Sequence, residues 1–197
     1  MRAELERYRQ QLGFLKIPEN EADKIHAIKI ESENKHEWRY RIYLPPQGKY
    51  TLKFAKGRLP GKTIELSDPK DYYAVVSKRT SGSSRSWEAG EFVLVFRIEP
   101  DDSDPDRRNW KFSTRRVGEG SKGSTTLTVP WMNDERAWSA SSSMVGSKQK
   151  VYEPDQPLPL LTVRRAKITE TVSGGYSAIS ADAREYSDGF MLWIHPK

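Results

Sequence analysis

Hydrophobic positions in this chain change period once. Near the start, Leu5, Tyr8, Leu12 and Leu15 recur in steps of three and four, which is the spacing of one helical face and of a coiled-coil seam. The spacing predicts a helix over residues 2–12, stopped at Gly13, with Pro18 ending any continuation. So short a helix is marginal in water. It therefore either docks on the domain or is the remnant of a longer coiled coil, and its seam would allow self-association through residues 5–15.

From residue 25 the period is two. "IHAIKI" (25–30) begins the series. In "HEWRYRIYLPPQGKY" (36–50), Trp38, Tyr40, Ile42 and Leu44 fall on one parity and Arg39, Arg41 and Tyr43 on the other. This predicts a strand with one apolar face and a wet face of arginines, whose stems lie across the sheet. Further strands are expected in "KYTLKFAKGRL" (49–59), "TIEL" (63–66), "YYAVVSK" (72–78), "EFVLVFRIE" (91–99), "NWKFSTRRV" (109–117), "STTLTVP" (124–130), "KVYE" (150–153), "LLTVRRAKITET" (160–171) and "GFMLWIHP" (189–196). "PPQG" (45–48) has the residues of a tight turn and predicts a hairpin joining 37–44 to 49–59. "FMLWI" is too apolar for an exposed edge, so the last strand is expected to be central. Stretches 77–90, 118–124 and 139–148 are rich in Ser and Gly and read as surface loops, while 173–189 is weakly patterned.

No helix-length crossover separates the strands, which argues against a parallel sheet. The expected fold is all-β: a jelly-roll-like antiparallel β-sandwich over residues 19–197, preceded by a short N-terminal α-helix within 1–18.

Composition changes little in this picture. The mean hydropathy of −0.79 would suit a disordered chain, but the apolar residues are grouped into periodic runs. Six Trp, nine Tyr and six Phe supply large apolar area per residue. The net charge of +6 comes from 33 basic and 27 acidic residues that are interspersed. Clustering, not net charge, marks a phosphate-binding face, so nucleic acid is disfavoured as a partner. The absence of cysteine excludes disulfides, thiolate nucleophiles and Cys-based zinc sites. The first 20 residues are too charged for a signal peptide, and no run is long and apolar enough to span a bilayer.

Candidate chemistry is sparse. "GRLPGKT" (57–63) is too short between its glycines for a phosphate-binding loop and lacks the following helix. "GEGSKGST" (118–125) has its lysine on the wrong side of the glycine. Asp102, Asp104 and Asp106 alternate as cation ligands do, but the Gly and Glu of an EF-hand are replaced by Arg107 and Ser113, so they form only a weak candidate. The three histidines, His26, His36 and His195, have no ligand spacing, and no nucleophile elbow occurs. No motif implies a cofactor. Arg39, Arg41, Lys53, Lys56 and Arg58 would make a basic stripe if 37–59 were one hairpin. Three tryptophans border polar loops. Arg85, Trp87, Trp131, Asp134, Arg136 and Trp138 are thus the candidate binding surface, with the alternative that each ring caps the core.

The stretches "LERYRQQLGFLKI", "KIHAIKI", "WRYRIYLPPQGKY" and "SDGFMLWIHP", in this order, resemble a family of uncharacterised bacterial proteins. There a hydrophobic anchor and a short coiled coil precede a β-rich domain. The resemblance implies the same layout here, with any membrane tether supplied by a segment absent from this chain. Without such an anchor the expected location is cytoplasmic. The expected function is a non-catalytic binding or scaffold module of the bacterial cell envelope, with a protein or glycan ligand. The rival expectations are a carboxylate-based enzyme acting on glycans and a basic nucleic-acid-binding protein.

Overall fold

A computed structural model of the chain describes residues 13–60, 73, 76, 80–104, 106, 109–117, 122–134, 138–141, 145–165, 167–170, 176–179 and 186–197. The expected helix at 2–12 and strand at 63–66 lie outside the described residues.

The protein is all-β and antiparallel, with the two-sheet make-up expected of a sandwich. Thirteen strands are described: β1 (Ile25–Ile30), β2 (Glu37–Leu44), β3 (Tyr50–Pro60), β4 (Thr80–Trp87), β5 (Gly90–Pro100), β6 (Asn109–Arg116), β7 (Lys122–Thr128), β8 (Trp138–Ser141), β9 (Lys150–Tyr152), β10 (Leu158–Arg165), β11 (Lys167–Glu170), β12 (Tyr176–Ile179) and β13 (Tyr186–Pro196). Short 3-10 turns occupy Glu19–Glu21 and Pro130–Asn133. The first sheet has the order β7-β6-β5-β2-β1-β9, the second β4-β3-β13-β10-β8, and β11 pairs with β12 alone. The chain divides into two compact units. One comprises Met1–Lys49, Glu88–Pro130 and Met144–Pro154; the other comprises Tyr50–Trp87, Trp131–Ser143 and Asp155–Lys197.

In the first unit the alternation of β2 behaves as expected. Trp38, Tyr40, Ile42 and Leu44 are buried, and Arg39 is exposed. Their cross-strand partners are Phe96, Leu94, Phe92 and Gly90 on β5, and the apolar face continues into Trp110 and Phe112 on β6. The rings of Phe96 lie 6.0 Å from Trp38 and 6.3 Å from Phe112, within the range of favourable tilted aromatic pairs. β1 is buried on both faces at its start, where His26 is fully buried. His26 Nε2 lies 2.8 Å from Glu21 O and Nδ1 lies 2.9 Å from Gln149 Nε2. These partners fix the neutral tautomer: Nε2–H donates to the carbonyl and Nδ1 accepts from the amide. Gln149 also exchanges two hydrogen bonds with the backbone of Lys16, which ties residues 13–18 to β1.

In the second unit β13 lies between β3 and β10, the central position expected of so apolar a segment. Gly189 to Ile194 are buried without a break. Residues Phe190, Leu192 and Ile194 project from one face. Met191 and Trp193 project from the other, where they cluster with Ala55, Leu59, Tyr73 and Val76.

Several expectations need correction. Turn 45–48 exists, with Gly48 N donating to Pro45 O at 3.3 Å, but it closes no hairpin. β2 pairs with β1 and β5, and β3 with β4 and β13. The turn therefore carries the chain from one sheet to the other. The basic stripe is divided accordingly: Arg39 and Arg41 belong to the first sheet, and Lys53, Lys56 and Arg58 to the second. Tyr73 and Val76 are helical, not extended, and both are buried. The Ser- and Gly-rich stretch at 77–90 is mostly strand β4. Strands also enter the stretches read as loops at 118–124 and 139–148, and the weakly patterned stretch 173–189 contributes β12 and the start of β13.

Candidate functional site

Of the six residues singled out in the sequence, the five that are described are not brought to one place. Arg85 and Trp87 share a face of β4, at one edge of the second sheet. Trp138 is on β8 at the opposite edge. Four strand spacings separate those edges, roughly 19 Å. Trp131 stands on the Pro130–Asn133 turn and stacks on Phe190, with centroids 6.4 Å apart and planes at 19°. It covers an otherwise fully buried ring, as a core cap would. Trp87 is buried, Arg85 exposed and Asp134 half-buried. Arg136 lies outside the described residues.

The acidic loop uses its own carboxylates. Asp101 Oδ1 accepts from Ser103 N and Oγ, and this pair of hydrogen bonds holds its carboxyl below the usual value. Asp104 accepts from Asp106 N and, at 2.7 Å, from Asn109 N. These are turn-forming bonds, which fix the backbone before β6. Among the described residues no three metal-binding side chains converge.

The wet face of the first sheet is rich in charged side chains. Register and alternation place Glu37, Arg39, Arg41, Glu91, Arg97, Glu99, Lys111, Ser113, Arg115, Ser124 and Thr126 on it. Three of its arginines are matched by neighbours. Arg39 pairs with Glu37, Arg41 with Glu91 at 3.0 Å, and Arg97 with Glu99 at 3.4 Å. Arg41 also lies over the exposed Phe14 ring, 5.4 Å from its centroid. The arginines of β2 thus meet carboxylates of their own sheet.

Burial alone would push the Glu37 carboxyl up, but hydrogen bonds from Arg39 and Ser32 outweigh it and hold it below its usual 4.5. A carboxyl with a depressed folded-state pKa stabilises the fold above its unfolded value and loses that contribution as pH falls through the folded one. Glu37→Gln should therefore flatten the acid limb of a stability-versus-pH curve below about pH 4.5. Thermal melts across pH 3 to 7 read this out, and an unchanged acid limb would remove Glu37 from the account.

Toward β6 and β7 carboxylates become fewer. Lys111 is exposed, stands opposite Glu99 in the register and helps lower the Asp101 carboxyl by its charge, while Arg115, also exposed, stands opposite Val95 and has no carboxylate directly across from it. Beside them β7 is a sheet edge, with Ser124, Thr125, Thr126 and Thr128 exposed. The sequence reading missed this patch because each cation there is ordinary alone. The signal available was the two-residue step through Lys111, Ser113 and Arg115.

No protein-family model, curated protein or solved structure matches this chain. The resemblance to the anchored bacterial family therefore rests on the four quoted stretches alone.

Proposed function

We propose that the protein is a non-catalytic binding module whose ligand is a protein, presented as an extended acidic segment along the β7 edge of the first sheet. The observation that supports this is the coincidence of an open strand edge with exposed cations on the adjacent strand, of which Arg115 has no carboxylate directly across from it. Edge strands offer a row of backbone donors and acceptors to an added strand. Lys111 and Arg115 would select acidic side chains by charge, since each lies one strand in from that edge. The hydroxyls of β7 add hydrogen-bonding partners without apolar surface. A setting in the bacterial cell envelope, the one implied by the resemblance, is part of the same proposal.

The test is a titration of the 15N-labelled full chain with an alternating Glu-Val peptide and, separately, a Lys-Val peptide. Saturable shifts confined to 122–128 and 109–116 are expected with the acidic peptide only. Arg115→Glu should weaken that binding by about tenfold or more. Equal response to both peptides, or shifts elsewhere, would overturn the assignment.

A further inference from the structure

The second sheet has a polar end on the face that carries Met191 and Trp193. Its middle is covered, since Tyr73 and Val76 pack there with Ala55, Leu59, Met191 and Trp193, and the Tyr73 and Trp193 rings lie 5.7 Å apart. Toward Pro196 the character changes. Register sets Thr51 opposite His195 and Lys53 opposite Trp193; on the other side of β3, Ser86 stands opposite Thr51 and Ser84 opposite Lys53. Directly opposed residues project from the same face, with Cβ atoms about 5 Å apart. Thr51, Lys53, Ser84, Ser86, Trp193 and His195 are therefore one group. Lys197 joins it at the rim, its Nζ donating to Ser86 Oγ at 3.0 Å.

Three polar atoms of this group are buried and have no hydrogen-bond partner among the described residues: Thr51 Oγ1, Trp193 Nε1 and His195 Nδ1. Thr51 is 6% exposed and Trp193 1%. Buried polar atoms are nearly always satisfied, and an orphaned one points to a missing partner. An indole N–H can only donate, a hydroxyl and an imidazole can donate, and lysine brings donors with positive charge. Among the described residues the group contains no acid.

We propose that Thr51, Lys53, Trp193 and His195 form a binding site for a single oxyanion group, of the carboxylate or phosphate class, with Ser86 and Lys197 at its rim. The orphaned hydroxyl and indole supply direct hydrogen bonds, and Lys53 supplies the charge-assisted one. Burial first, and the Lys53 charge second, hold the His195 imidazole below its usual value. A bound anion reverses the charge term, so imidazole protonation and anion binding favour each other. This site belongs to the second sheet and stands whether or not a peptide docks on β7.

The experiment follows the Trp193 indole N–H and the His195 ring C–H by NMR in the full chain, the indole signal being assigned with Trp193→Phe. Inorganic phosphate and acetate are titrated separately, at ionic strength held constant with sodium chloride. Saturable movement of both signals is expected, with an upward shift of the His195 titration midpoint. Whichever anion binds more tightly assigns the class. Lys53→Met should weaken binding about tenfold, while Lys150→Met, at an exposed position on β9 of the first sheet, leaves it unchanged. Signals that stay still with both anions, or that move as much with chloride alone, overturn the site. So does a Lys53→Met variant with full affinity.

Discussion

Replacing Gly189 with alanine should destabilise the protein by about 3 kcal/mol or more, at the upper end for inserting one methyl group into a packed interior. The position is in the middle of β13, directly opposite Gly57 on β3 and Arg164 on β10. A Cβ built there would lie 2.3 Å from Val163 O, 3.3 Å from Arg164 Cα and 3.0 Å from the Leu59 Cδ1. Two of these three atoms are backbone, and a hydrogen-bonded neighbouring strand cannot withdraw without loss of its ladder. Gly146→Ala is the control, because a Cβ there meets nothing within 4 Å, and its effect should stay within about 0.5 kcal/mol. Urea denaturation of both variants gives the comparison. Equal midpoints would mean that β10 and β13 separate without cost, contrary to their continuous burial.

Phe96→Ala should cost about 3–5 kcal/mol in the first sheet, the range for removing a large buried ring. Phe96 is 1% exposed and sits on β5 between β2 and β6. Trp38 and Phe112 contact it from those two strands. Truncation therefore takes away one partner from each of two aromatic pairs as well as leaving a cavity. Phe96→Leu keeps most of the volume and should recover more than half of the loss. Val93→Ala tests the other face of the same strand, where the side chain is only half-buried, and should cost far less. If Phe96→Ala and Val93→Ala proved alike, β5 would not carry the asymmetry between its faces on which the fold description rests.

The division of β2 into an apolar and a charged face was legible because a half-buried strand imposes a period of two on its residues. The partners of β2 were not. "PPQG" says that the chain turns, and any turn satisfies that chemistry, whereas pairing is decided by which strand buries the exposed edge. The Ser- and Gly-rich β4 was invisible for a related reason: its own residues have little β preference, and its strand form depends on the ladder offered by β3. Tyr73 and Val76 fell on a short apolar run, where helical and extended periods cannot be separated. The loop tryptophans illustrate the limit for sites. Trp131 has the same polar neighbours in sequence whether it faces water or stacks on Phe190, and only the position of β13 decides it. Lys53, Trp193 and His195 come from strands far apart in the chain, so no local spacing could have joined them.

The position of β13 also has a temporal side. Of all the strands in its sheet it is synthesised last, after β3, β4, β8 and β10. Until it emerges, β3 and β10 have no common neighbour, and each presents an open strand edge. Pairing the first strand of a sheet with the last requires closing a long loop before any contact rewards it, which slows folding and lengthens the exposure of those edges. The nascent second sheet therefore needs protection from aggregation during synthesis, and arrival of the "FMLWI" segment ends that need.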